Sequence, residues 1–409
     1  MEAGNVLTIA SDGFGAAEIV FWSAAFLLAY TYVGYPLLAW LRSRLFRRAP
    51  RKSDITPRIS ILCVAHNEAR RIRDRIENLL ALDYPRELVE IVIASDASTD
   101  GTVDIAQEYA ASGVRVVQFH EHRGKPAVLN ELIPQLRGEI VVLMDARQRI
   151  DLQALRELAA NFADPRVGAV SGELLLDPES GDARTGKGVG FYWRYEKFIR
   201  FHESRADSTV GATGALYALR HRLFQPIPSD TLLDDVLIPM QIARQGYRVL
   251  FEPAARAYDV VAASPQAEMT RKVRTIAGNF QLMWRERWLL NPRRNRLWFQ
   301  TLSHKYFRLL GPVCLALVLA SNLLLLEYPF YDVVLALQVL FYAAAVAGHM
   351  RKNASGSSML MNVAYAFCML NWATVLGCYR FACGRQQVTW QKAQHAAPAP
   401  AAQPSAGDQ

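Results

Sequence analysis

ISILCVAHNEAR, residues 59–70, decides the fold. Seven β-prone, nearly continuous apolar residues end abruptly on His66, Asn67 and Glu68, and a helical pattern follows. Ile72, Ile76, Leu79 and Leu80 recur at helical spacing across 70–82. A strand that is apolar without alternation is buried on both faces, as in a parallel sheet covered by helices.

The same unit then repeats. VEIVIAS (89–95), VRVVQFH (114–120), EIVVLMD (139–145) and VGAVSG (167–172) read as further strands, and 102–112, 127–136 and 152–162 read as helices. The expected fold is α/β, a mostly parallel sheet with flanking helices. Ligands of such sheets bind outside the carboxyl ends of the strands. There stand His66, Asn67 and Glu68, then Asp96, Ser98, Thr99 and Asp100, then Arg123, Gly124 and Lys125, then Asp145. Polar residues at one strand end are ordinary turn chemistry, but these ends converge on one edge. AHNEAR lacks the GxGxxG of a dinucleotide fold, and the chain has no Walker loop. A bound nucleotide must therefore be held by side chains and a metal.

Apolar residues make up 51% of the 409, concentrated near the N-terminus and between 306 and 383. Residues 16–41 are long enough to span a bilayer, and arginines follow rather than precede them. This predicts an uncleaved anchor with the N-terminus outside and the next domain in the cytoplasm. Three further spans are expected at 309–326, 333–348 and 359–383. Four spans place the tail outside, yet Arg380, Arg385 and Lys392 favour the inside. Either the second span is marginal or one segment is re-entrant. The domains expected are 1–50 (anchor), 51–300 (cytoplasmic domain), 301–385 (membrane helices) and 386–409 (Pro/Ala-rich disordered tail). The net charge of +8 lies largely in Arg42–Lys52 and Arg285–Arg296. Beside membrane spans, such clusters read as surface anchors for membrane lipids, not as nucleic-acid sites. The five cysteines form no CxxC pair and read as apolar fillers.

Taken together, these motifs resemble the membrane-anchored family-2 glycosyltransferases, which include cellulose, chitin and hyaluronan synthases and bacterial exopolysaccharide enzymes. The resemblance covers about 59–288 and implies a GT-A-like fold. AHNEARRI resembles the strand end that packs on uracil, with His66, Asn67 and Glu68 nucleotide-side. SDASTDGT (95–102) resembles the Asp-x-Ser-x-Asp-x-Thr segment and places Asp96 on the uridine, with Asp100 beside it. GKPAVLN (124–130) resembles the segment that sets Lys125 near the diphosphate, with Asn130 following. Asp145 falls on the metal-binding Asp-x-Asp, but Arg147 replaces the second acid. Arg147 then either contacts the diphosphate or pairs with a nearby acid. LLDDVLIPMQIARQGYRVLFEP (232–253) implies Asp235 as catalytic base, with Asp234 beside it. GATGALYALR (211–220) resembles an acceptor-side loop, carrying Thr213 and Gly214. The Gln-x-x-Arg-Trp motif of processive synthases is absent; RKVRTIAGN (271–279) offers Arg271 and Arg274 on the acceptor side, with Thr275 in place of tryptophan.

The resemblance implies an inverting transfer from a UDP-sugar to a glycan or lipid-linked acceptor, with Mg2+ or Mn2+. It places the enzyme in the bacterial inner membrane, working beside other export or polysaccharide synthesis proteins. Asp234 should raise the Asp235 pKa by like-charge repulsion, and the helix N-terminus should lower it. Sequence leaves that contest open. The competing reading is a catalytically inactive membrane subunit, motivated by Arg147. Read blandly, Asp234–Asp235 merely cap a helix, and FYWRYEKFIRFHES (191–204) is a core helix. The favoured reading of the latter is an amphipathic helix that meets acceptor or membrane.

Overall fold

The computed structural model describes residues 15–176, 186–259, 265–351 and 358–386. The tail expected at 386–409 thus lies almost wholly outside the described residues.

An eight-stranded sheet carries the soluble part, in the order β3-β2-β1-β4-β7-β6-β8-β5. The strands are β1 Ile59–Ala65, β2 Val89–Asp96, β3 Val114–Phe119, β4 Ile140–Asp145, β5 Arg149–Ile150, β6 Val167–Leu176, β7 Leu216–Arg220 and β8 Arg248–Asp259. β3, β2, β1 and β4 are parallel, as their unbroken apolar runs require. In the other half β6 pairs parallel with β8, but antiparallel strands join it. β7 inserts antiparallel between β4 and β6, and β5 pairs antiparallel with β8, so the sheet is mixed. The physical reason is the path of the chain. After β6 it runs through the helix Gly186–Ala206 and enters β7 from the opposite end.

Both faces of the sheet are covered. On one face Leu62, Val92, Val141 and Leu143 pack with Val128, Leu129 and Leu132 and with Leu237, Ile238 and Ile242. On the other, Ile61, Cys63, Ile91, Ile93 and Val142 pack with Ile72, Ile76, Leu155 and Leu158. Burying a large aliphatic side chain stabilises by about 1.5–3 kcal/mol, so these layers fix the strand ends rigidly.

Among the described residues, three helices are long and apolar enough to cross a membrane: Ala16–Leu45, Pro329–Met350 and Met359–Ala382. The span expected at 309–326 is different. It is the helix Gly311–Leu323, bent by 58° from Trp298–Leu309. Its 13 residues reach only ~20 Å at the α-helical rise, short of the ~30 Å hydrocarbon core. A fourth span exists only if the bent pair counts as one.

The membrane helices are bolted to the soluble part. Ile199 of the 186–206 helix packs with Tyr35 and Ala39 of the anchor. The helix Pro265–Arg285 lies along Met359–Ala382 so closely that a Cβ on Gly377 would come within 2.7 Å of Ile276 Cγ2. Phe280 and Phe381 stack 6.2 Å apart in the same contact.

Candidate active site

The carboxyl ends of β1, β2 and β4 and the loop after β3 meet at one edge. There Asp96, 2% exposed, gathers the β3 loop. Its Oδ1 accepts from Arg123 N at 2.9 Å and its Oδ2 from Gly124 N at 2.8 Å. Gly124 sits at φ 84°, a conformation that glycine adopts without a Cβ penalty. His66 Nδ1 donates to the Asp96 carbonyl oxygen at 2.6 Å, and the His66 ring stacks on His122 at 4.0 Å. His122 Nδ1 lies 2.9 Å from Asp96 Oδ2. His122 was not among the expected residues. Its one sequence signal was its place two residues before Gly124.

Several expected nucleotide-side residues spend their polar atoms on the scaffold. Asn67, itself at φ 56°, accepts from Thr99 N at 2.7 Å. Asp100 accepts from Ala69 N at 3.1 Å and also binds Thr102. These bonds tie the β1 and β2 loops together. Glu68 N donates to Thr102 Oγ1 at 2.8 Å, and its side chain pairs with Arg71. Asn130 differs most from expectation. Its amide accepts from Ile227 N at 2.9 Å and donates to Ile227 O at 2.6 Å, so it staples its helix to the loop before Asp234 and Asp235.

Lys125 is the hub, 8% exposed. Its Nζ donates to Asp145 Oδ1 at 2.9 Å and lies 3.5 Å from Asp234 Oδ2. Burial alone would lower the ammonium pKa, but the Asp145 and Asp234 carboxylates outweigh it and hold Lys125 well above its ordinary value. Burial likewise works against the Asp145 anion, yet Lys125 and then Arg147 hold its pKa below the usual carboxylate value. Arg75, 3% exposed, donates to the carbonyl oxygens of Asp145 and Gln148 and so fixes the turn after β4 from beneath.

Asp234 and Asp235 open the helix Asp234–Arg244. Asp235 Oδ2 accepts from Gly214 N at 2.9 Å, and its carbonyl oxygen accepts from Ala212 N at 2.7 Å. Thr213 N donates to Ser171 Oγ at 3.0 Å, which ties the same loop to β6. Burial, then the neighbouring Asp234 carboxylate, push Asp235 up to about 6. The contest left open by the sequence is thus decided upward. Gln281 of the 265–285 helix clamps the approach to the pair: Leu232 N donates to it at 2.9 Å, and it donates to Asp230 O at 2.8 Å.

Arg147 takes the second of its two alternatives. Its Nε donates to Asp259 Oδ2 at 3.1 Å, as does Gln148 Nε2. Arg271 lies 4.0 Å from the same oxygen, and the Arg274 charge acts on Asp145. Both arginines expected on the acceptor side therefore reach the Asp145–Asp259 edge. Among the described residues no group of three or more His, Cys, Asp or Glu could hold a metal. What remains fits a site built on one carboxylate. Asp145 is held ionised and spends one oxygen on Lys125. Mg2+ is commonly held by one or two carboxylates completed by substrate phosphates and water.

Residues 60–225 match glycosyl transferase family 2. Poly-beta-1,6-N-acetyl-D-glucosamine synthase of Staphylococcus aureus (strain COL) is 25% identical over 236 residues, 56% of each chain. The same-named protein of Staphylococcus epidermidis is 26% identical over 238 residues, again 56% of each. The matched region thus spans just over half the length of these curated relatives. Among solved structures, mannosyltransferase PcManGT from Pyrobaculum calidifontis, in complex with GDP-Man and Mn2+, superposes with a TM-score of 0.67 at 21% identity. That superposition covers 90% of this chain and 99% of the other, and it shows a shared GT-A-like fold. Residues 60–225 thus carry a glycosyl transferase family 2 domain, and three long apolar helices among the described residues fit a membrane-anchored member of that family.

Proposed function

We propose that the protein transfers a sugar from a UDP-sugar to an acceptor hydroxyl with inversion, in the synthesis of an extracellular polysaccharide or a lipid-linked glycan. One observation carries this reading: a single buried ammonium, Lys125, bridges Asp145 on the nucleotide edge and Asp234 beside a carboxylate poised at about 6. A base with a pKa near the working pH combines availability with proton-accepting strength. The acceptor oxygen attacks the anomeric carbon, the bond from that carbon to the diphosphate oxygen breaks, and Asp235 takes the hydroxyl proton. Attack opposite the leaving group inverts the anomeric centre. Lys125 keeps its proton throughout and offers fixed positive charge to the leaving diphosphate. A divalent cation, Mg2+ or Mn2+, would be held by Asp145 and would add charge neutralisation at the diphosphate. His66 and Asp96 flank the place proposed for the nucleobase.

The relatives' name, poly-beta-1,6-N-acetyl-D-glucosamine synthase, makes UDP-N-acetylglucosamine the first donor to try. We place the catalytic domain on the cytoplasmic side of a bacterial inner membrane, where nucleotide sugars are made. Export or polysaccharide synthesis proteins are its natural partners there. The inactive-subunit reading rests on Arg147 alone, and Asp145, Lys125 and Asp235 all stand in working relation. Purified protein should release UDP from UDP-N-acetylglucosamine, UDP-glucose or UDP-galactose, faster with Mn2+ or Mg2+ than with chelator. GDP-mannose is the control donor, and turnover of GDP-mannose alone would refute the uridine assignment.

A further inference from the structure

The 186–206 helix presents distinct faces. One docks on the membrane side: Glu196 pairs with His304, Lys305 and Arg308, while Glu203 binds Tyr35 and His304. On the same side His202 Nδ1 lies 2.7 Å from Ser43 Oγ. A second face is open, with Phe198 40% exposed. The third carries Trp193, Lys197 and Arg200, at the i, i+4, i+7 spacing that forms one stripe.

That stripe leads away from the catalytic carboxylate. At its near end Arg200, whose Nε donates to Glu196 Oε1 at 3.3 Å, acts by its charge on Asp235. In the middle Lys197 Nζ pairs with Glu173 Oε1 of β6 at 2.7 Å. At its far end Lys272 Nζ of the 265–285 helix sits over one face of the Trp193 ring, 5.0 Å from its centroid. The stripe thus faces β6 and the 265–285 helix, the elements that also hold the Thr213 loop and Gln281. An aromatic ring beside a carboxylate and an ammonium is the chemistry that grips a sugar. The ring packs on the C–H face of a pyranose, and the charged pair bonds its hydroxyls.

We infer that Trp193, Lys197 and Glu173 form the subsite for a pyranose of the acceptor glycan, leading its attacking hydroxyl toward Asp235. This rests on the transferase reading above. The docked face makes the assignment specific. With Glu196 and Glu203 locked to the membrane-side segments, the helix cannot roll, so Trp193 and Lys197 keep their aim.

The test uses the full-length enzyme in detergent or nanodiscs, with UDP-N-acetylglucosamine, UDP-glucose or UDP-galactose as donor. The acceptor probes are tetrasaccharides of N-acetylglucosamine, glucose and mannose. Trp193→Ala should raise the acceptor KM about tenfold or more, as truncating an aromatic anchor does, while the donor KM holds. Trp193→Phe keeps an aromatic face and should recover most of the loss. An unchanged acceptor KM, or acceptor and donor KM rising together in both variants, overturns the assignment. A wild-type enzyme that turns over donor but glycosylates none of the tetrasaccharides also overturns it and leaves the donor reading standing. One that turns over no donor overturns both.

Discussion

Asp234→Asn separates the two causes that lift Asp235. The substitution keeps size and burial and removes one charge. Asp235 stands at about 6 against an ordinary 3.8, with burial the larger cause and Asp234 the next. The lift of about two units corresponds to about 3 kcal/mol. Two carboxylates ~7 Å apart at an effective dielectric of ~20 repel by about 2 kcal/mol, or about 1.5 units. Losing Asp234 also leaves Lys125 one competing partner fewer, which lowers Asp235 further in the same direction. The acid limb of kcat/KM, which reports the free enzyme, should therefore move from about 6 to about 4.5. The sign is that of a base lost on protonation. Wild-type activity falls about tenfold per unit below its limb, whereas the variant at pH 5 should stay near its plateau. The assay is sugar transfer from pH 4 to 9 at fixed metal concentration. A limb that stays near 6 or climbs would refute the electrostatic account of the base.

Two further predictions concern the frame. Gly278 packs on the segment before Asp234 and Asp235, and a Cβ there would sit 2.6 Å from Leu233 Cγ and 3.1 Å from Leu232 Cβ. Gly278→Ala should displace that segment and lower kcat about tenfold or more with little change in donor KM, since sub-ångström misplacement weakens attack geometry; wild-type kcat would show the contact to be slack. Arg147→Asp should remove the nearest cation from Asp259, which keeps Gln148 and Arg271, and set a second acid two residues after Asp145. The metal concentration for half-maximal activity should fall and donor KM should rise; if a titration moves neither, Arg147 is a scaffold partner of Asp259 and nothing more.

How much of this was legible in the sequence follows from physical range. β1 to β4 were readable because burial on both faces writes itself as a continuous apolar run. The convergence of Asp96, Lys125 and Asp145 followed from the rule that parallel strands present their carboxyl ends to one edge. The place of β7 between β4 and β6 was not readable, since strand order is a property of the whole chain path. The Arg147–Asp259 pair joins residues 112 apart, and no local pattern announces it. Asn130 shows the reverse difficulty. Its position in a motif suggested ligand contact, while its amide geometry commits it to Ile227. The bend between Trp298–Leu309 and Gly311–Leu323 escaped hydropathy, which measures composition and is blind to a 58° break.

The central claim is that Asp235 is the base for nucleotide-sugar transfer. Its most direct test compares wild type with Asp235→Asn, measuring labelled sugar transferred from the UDP-sugar to acceptor at pH 7.5. The account predicts wild-type transfer and a variant slower by about 10²–10⁴-fold at an unchanged donor KM, the usual contribution of a general base. A variant within a fewfold of wild type would contradict it.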